Sequence, residues 1–357
     1  MTSSVRSRAP GWWKLVAVAT LVSGLLPVVS SCGSDAPATK ETAPPGEEIT
    51  VTSDSIEFGD RLIGAWVPRV ATEDGDVYVL AGRDDEPPDT GEASSTVLAA
   101  FDDAGVERWR TELEGAPSDV AIADGDPWVS HGEGIVTRLD SSDGRILDHV
   151  TLEHTGSSVP MMGAFGSVWA TPGDSQGRSS RLVRIDPDLS TSTIELGGDG
   201  YPGDGPVAGA GAIWFPLGAR GVAMIDPDTN EVTVIPVDDL GSEARIAVDG
   251  DVVYVAPGSG YQVTSIVDGE VHATVPTGEV TYLGPIEGVF GVLDRAGQFR
   301  VLGADDPMVL EFRDVSTEGQ RGPASEIDGE AWAATGDDDN FHGNLHRLEL
   351  LPVPAED

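Results

Sequence analysis

Ser130-His131-Gly132-Glu133-Gly134 sets an imidazole two residues from a carboxylate in a glycine-bounded segment. A histidine so placed can act as a general base, and the glutamate beside it as a charge that polarises a bound divalent cation. The plainer account is a pair of polar residues in a tight solvated turn. Asp174 and Arg178, Arg220, Tyr261, Asp338 and His342 fall in segments of the same character, short, polar and glycine-bearing. Together these side chains offer carboxylates, guanidinium groups, a phenol and imidazoles, the chemistry of holding a polar ligand. Cys32 is the only cysteine among 357 residues, so the chain can form no internal disulfide and no multi-thiolate metal site.

The surroundings of Cys32 point to a different use for its thiol. Arg6, Arg8 and Lys14 precede it with no acidic residue, and LVAVATLVSGLLPVVS follows without a charge. A basic start, an apolar run and small residues make residues 1–31 an export signal. The run is short of the roughly 20 apolar residues that span a bilayer, and Pro27 interrupts it. Val29-Ser30-Ser31-Cys32 resembles the lipobox of bacterial lipoproteins. That resemblance implies cleavage before Cys32 and a diacylglycerol on its sulfur, with the protein lipid-anchored in the cell membrane and facing outside the cytoplasm. Two acyl chains at about 0.8 kcal/mol per buried methylene hold where one would be marginal. Residues 32–47 are rich in Pro, Gly, Thr and Glu without apolar periodicity, which reads as a flexible tether.

The charge balance excludes one class of partner. Lys and Arg number 21 against 61 Asp and Glu, a formal charge of −40, and loss of the basic N-terminus leaves a more acidic chain. Nucleic acid binding needs clustered Lys and Arg, so no nucleic acid partner is expected. A hydrophobic content of 39% still supplies a folded core.

The elements that must position the polar segments come from a repeat. An aromatic returns inside a short apolar stretch opened by glycine or glutamate: Tyr78 in GDVYVLAG, Trp128 in GDPWVS, Trp169 in GSVWATPG and Trp214 in GAIWFPLG. Tyr254 in GDVVYVAPG, Phe290 in EGVFGV and Trp332 in GEAWAATG continue it, at spacings of 50, 41, 45, 40, 36 and 42 residues. A period near 40–45 with strand-like content predicts a β-propeller with four strands per blade. A second landmark keeps step with the first. Strands ending in Asp140, Asp186 and Asp226 run into turns such as Asp-Pro-Asp, hairpin chemistry in which the aspartates are turn residues. VLAAFDDAGVERWRTEL resembles PQQ-type repeats, and GSVWATPG with RLVRIDPD resembles the streptogramin-lyase type. The resemblance implies an all-β, seven-bladed β-propeller of four-stranded antiparallel blades over residues 48–353, followed by a tail at 354–357. The aromatics are expected as core wedges on the second strand of each blade. The last unit is one strand short, and Ile49–Phe58 is expected to close it as an outer strand.

Antiparallel strands put the loops between second and third strands, and those between blades, on one face. The candidate residues His131, Glu133, Asp174, Arg178, Arg220, Tyr261, Asp338 and His342 all fall in or beside the former loops. Asp338, Asn340, His342, Gly343 and Glu349 match the spacing of an EF-hand calcium loop, but strands rather than helices flank them, so an acidic hairpin loop is expected. The expected function is a binding or scaffold protein at the cell envelope, a monomer that meets a protein, peptide or glycan on its loop face and needs no cofactor. The alternative, implied by the lyase resemblance, is an enzyme using a histidine and a divalent cation at the channel mouth. No histidine set matches that family's motif, so no catalytic residue carries over. A PQQ-dependent dehydrogenase is disfavoured by seven units and no cysteine pair.

Overall fold

A computed structural model describes residues 50–51, 55–57 and, apart from short stretches between strands, 69–82 and 96–347. In residues 50–57 and beyond 303 the description is of the backbone. Residues 1–31, the 32–47 tether, Cys32, Asp338, His342 and the tail lie outside the described residues. All strands fall within one compact unit, Gly46–Asp357.

Two short strands come first, β1 (Thr50–Val51) and β2 (Ser55–Glu57). Six antiparallel sheets then follow in chain order, each of four consecutive strands. The first holds β3 (Arg69–Glu73), β4 (Asp76–Gly82), β5 (Thr96–Phe101) and β6 (Glu107–Leu113). β7 (Pro117–Ala123), β8 (Asp126–His131), β9 (Ile135–Leu139) and β10 (Ile146–Thr151) make the second, and β11 (Met161–Ala164), β12 (Ser167–Ala170), β13 (Ser179–Ile185) and β14 (Thr191–Gly200) the third. The fourth is β15 (Val207–Gly209), β16 (Ala212–Pro216), β17 (Val222–Ile225) and β18 (Val232–Ile235). The fifth is β19 (Arg245–Asp249), β20 (Val252–Ala256), β21 (Gln262–Val267) and β22 (Glu270–Pro276). The sixth is β23 (Val280–Ile286), β24 (Val289–Asp294), β25 (Gln298–Gly303) and β26 (Asp306–Asp314). The last sheet runs β27 (Gln320–Ile327), β28 (Glu330–Thr335) and β29 (Asn344–Arg347), then turns to the N-terminal strands in the order β29-β2-β1.

First strands of successive sheets lie side by side: β3 with β7, β7 with β11, β15 with β19, β19 with β23 and β23 with β27. β27 in turn meets β3, so the last sheet returns to the first. Closure by the N-terminal segment is as expected, with Ile56 opposite Leu345. One expectation needs correcting. The segment supplies two strands, and the last sheet has five, because Val51 pairs back antiparallel opposite Ile56. β1 thereby covers the edge that a three-residue strand would leave open.

The aromatic repeat falls on the second strand of every sheet, in β4, β8, β12, β16, β20, β24 and β28. Trp128, Trp169 and Trp214 are no more than 2 % exposed, and Tyr78, Tyr254 and Phe290 are also buried. Burying an indole of this size contributes roughly 4–6 kcal/mol before ordering entropy is counted. Each buried indole N–H also needs an acceptor. Trp128 donates to Ala123 O (3.3 Å), Trp169 to Ala164 O (3.0 Å) and Trp214 to Gly209 O (2.8 Å), in each case the carbonyl five residues earlier that ends the first strand.

One joint between neighbouring sheets recurs, at the turn between third and fourth strands. Arg138 lies opposite Trp128 in the ladder, with its guanidinium 5.5 Å from the indole centroid, and donates to Pro187 O of the next sheet (2.7 Å). Arg184 repeats this over Trp169 and donates to Pro227 O (2.5 Å). Met224, opposite Trp214, lies against Gly269 of the next turn. Trp109 reaches Ser141 O (2.8 Å) from the first sheet and covers Gly144, where any Cβ would sit 2.4 Å from its ring. Tyr254 donates its hydroxyl to Gly303 O. The aspartates at these turns behave as expected. Asp140 accepts from Ser142 N–H (3.0 Å) and Oγ (2.6 Å), and Asp226 accepts from Asp228 and Thr229 N–H (2.9 and 2.8 Å). Those bonds hold both carboxyls below the usual aspartate range, the Ser142 hydroxyl bond leading at Asp140 and the Thr229 N–H bond at Asp226.

Candidate functional site

The loops between second and third strands and those joining successive sheets share one face, and they are bonded to one another there. Leu152 N–H donates to Gly134 O (2.8 Å), Thr171 N–H to Pro160 O (2.9 Å) and Thr277 N–H to Tyr261 O (2.6 Å). Below them Ser130 Oγ donates to Val159 O (2.7 Å), and Ser118 Oγ receives Val159 N–H (3.2 Å).

The candidates on this face differ sharply in what they do. His131 ends β8 and is buried, 6 % exposed, with Nε2 3.2 Å from Thr137 Oγ1. Burial pushes its pKa below the usual imidazole value, against a bond to the Glu114 backbone and the charge of Glu133. Enclosure of the imidazole beside a solvent-facing Glu133 separates the two groups that the sequence placed together. Glu133 sits at the tip of a turn closed by Gly134 N–H to His131 O (2.9 Å).

Asp174 and Arg178 do meet. Arg178 directs Nε (3.1 Å) and one terminal nitrogen (2.9 Å) at Asp174 Oδ2, while its backbone N–H reaches Oδ1 (3.0 Å). The pair closes its own loop, with Asp174 N–H donating to Arg178 O (2.7 Å). Arg220 ends a single 3-10 turn, Gly218–Arg220, and is exposed. Tyr261, in the corresponding loop of the next sheet, is 63 % exposed.

Two carboxylates on this face were not anticipated, Asp119 half-buried and Asp294 buried. Asp119, in β7, accepts N–H groups from Val120 at Oδ1 (3.0 Å) and Met161 at Oδ2 (2.9 Å), with Arg69 Nε 4.0 Å from Oδ1. It thus ties together the inner strands of the first three sheets. Burial pushes its carboxyl up, opposed by Arg69 and the two N–H groups. Asp294 ends β24 and is 5 % exposed, held by Arg300 (3.2 Å). A charge closing the apolar run Val-Phe-Gly-Val-Leu was the available signal for Asp294. Asp119 had none, because its partners come from neighbouring sheets.

The described histidines do not converge. His131 is inside the second sheet, His149 stands exposed on its outer strand β10, and His272 is exposed on β22 of the fifth. Among the described residues no group of three or more His, Cys, Asp or Glu side chains is arranged to hold a metal ion.

No protein-family model and no curated protein matches the chain. Solved structures do. BamB from Moraxella catarrhalis superposes with a TM-score of 0.54 at 15% identity, over 84% of this chain and 95% of that one. The β-propeller domain of Cps50 (Swd1) from Myceliophteria thermophila gives 0.54 at 10% identity, over 85% and 100%. The dihydro-heme d1 dehydrogenase NirN in complex with DHE gives 0.54 at 13% identity, over 85% and 72%. At such identities a likeness speaks for architecture alone. Radial antiparallel sheets, an aromatic wedge on each second strand and these superpositions together make the chain a β-propeller.

Proposed function

We propose that the protein is an exported, lipid-anchored propeller of seven blades that serves as a binding or scaffold protein at the cell envelope. Its loop face meets a protein, peptide or glycan. The observation that carries this reading is the contrast between the faces: the turns of one repeat from sheet to sheet, whereas the loops of the other share a location but no chemistry. Variable polar loops on a rigid frame are where recognition concentrates. The likeness to BamB and to the Swd1 propeller domain is compatible with such a role. The lipid half of the proposal rests on Cys32 and the apolar run before it.

Two experiments test the halves separately. Metabolic labelling with a fatty acid should tag the full chain in the membrane fraction, and Cys32→Ala should abolish the tag; label retained by that variant removes the anchor. A photo-crosslinking residue placed at 133, 178 or 261 should trap a partner in intact cells, while the same residue at 143, 188 or 228 on the opposite face should not. Crosslinks confined to the second set would overturn the assignment of the binding face.

A further inference from the structure

Arg220 is set apart from the other arginines. Nine arginines with described side chains each have a carboxylate within 4.0 Å. Arg245 is engaged as well. Among the described residues Arg220 alone has no side-chain partner, in a sequence where 61 acidic residues face 21 basic ones. The residue is exposed, and no acceptor among the described residues meets its five N–H donors.

The side chain is nevertheless well placed. Its turn is closed by Leu217 N–H to Gly221 O (2.8 Å), Arg220 N–H to Leu217 O (3.2 Å) and Gly221 N–H to Gly218 O (3.2 Å). The stem lies across Gly197 and Gly198 of β14, so near that a Cβ on Gly198 would come within 2.8 Å of Cδ and 3.0 Å of one terminal nitrogen. A guanidinium bedded on bare backbone has less freedom to lose when it is captured.

We infer that Arg220 is a recognition residue for a carboxylate carried by a polypeptide partner, an inference that rests on the loop-face reading above. The planar fork accepts a carboxylate through two parallel hydrogen bonds. Phosphate would take the same fork. Tyr261 favours the polypeptide: it is the exposed aromatic of the corresponding loop one sheet on, and an apolar ring with a polar tip is a common anchor at protein interfaces. A small free anion gains nothing from that ring to offset the acidity of the chain. At physiological salt, repulsion from carboxylates more than about 8 Å away is largely screened, while a contact ion pair is not.

The test uses the full chain and a dye-labelled peptide, Gly-Phe-Asp-Tyr-Glu-Phe, followed by fluorescence anisotropy, with inorganic phosphate and succinate as competitors. Arg220→Gln should weaken peptide binding by at least about tenfold, the size of a charge-assisted hydrogen bond. Arg220→Lys keeps the charge without the fork and should fall between. Gly198→Ala leaves every charge in place but pushes the stem aside, and it should also weaken binding; Tyr261→Ala should weaken the peptide and leave succinate unchanged. Equal binding by wild type, Arg220→Gln and Gly198→Ala overturns the inference, and the loop-face reading then stands or falls on the crosslinking. Displacement of the peptide by phosphate as readily as by an unlabelled copy of itself overturns the polypeptide assignment. Absence of peptide binding to wild type overturns the inference outright.

Discussion

On the turn face the same contact recurs from sheet to sheet, whereas on the loop face each sheet carries a different group. Arg138, Arg184 and Met224 occupy one ladder position opposite successive tryptophans, and each reaches the turn of the next sheet. Across the molecule, the corresponding loops present Glu133, an Asp174–Arg178 pair, an Arg220 without a side-chain partner among the described residues, and an exposed Tyr261. A ring of near-identical sheets has to solve one joining problem many times, and it reuses one solution. The side chains at these loop tips take no part in that repeated joint, so variation there is free to follow a partner.

If that contrast is real, the largest effects belong to the repeated positions. Trp169→Ala should lower unfolding free energy by about 3–5 kcal/mol, the usual cost of emptying a buried aromatic site. Trp128→Ala and Trp214→Ala should match it in urea melts, and a loss confined to one of the three would end the claim of equivalence.

Next come the latches. Arg184→Ala removes charge-assisted bonds to Pro227 O and Asp186 and should cost about 1.5–3 kcal/mol. Arg184→Met should cost less, because methionine already fills the same place at 224. A methionine variant no better than alanine would show that the arginines and Met224 are not alternative answers to one problem.

The two faces should also answer pH in opposite directions. The folded carboxyl of Asp226 is held low, so its contribution is present above the unfolded aspartate value and is lost as pH falls through the lower folded one. Asp119, with its side chain 19 % exposed, is pushed up, so its contribution is present below the unfolded value and is lost as pH rises through the folded one. Between about pH 3 and pH 7, stability relative to wild type should shift against Asp226→Asn and in favour of Asp119→Asn as pH rises. Parallel shifts in denaturant midpoints would contradict the assignment. The smallest effect is expected at the rim. Glu133→Gln and Arg220→Gln should leave stability within about 0.5 kcal/mol of wild type, as surface changes usually do.

Much of the architecture was legible because it is local. The aromatic sits in a short apolar strand, the aspartate turn closes the strand after it, and both are set by contacts a few residues apart. Trp169 bonding Ala164 O and Asp226 bonding Thr229 N–H are of that kind. What depends on the neighbouring sheet was hidden. Ser-His-Gly-Glu-Gly reads as two exposed polar groups until Glu114 and Thr137 are seen to enclose His131. Asp119 looks unremarkable in Pro-Ser-Asp-Val until Arg69 and Met161 arrive from strands on either side. That no carboxylate among the described residues reaches Arg220 is likewise a tertiary fact, which no spacing records.

The pairing of Ile56 with Leu345 has a kinetic corollary. The earliest strands synthesised are partnered by nearly the last, so β2 must wait while the intervening sheets emerge. Loop-closure entropy grows only as the logarithm of the length spanned, so this delay costs little in final stability. It does cost time, since contacts of such sequence separation form slowly. Sealing the circle is therefore a late event in folding. A chain truncated ahead of Asn344 would strand β2 without its mate however well the other sheets had assembled.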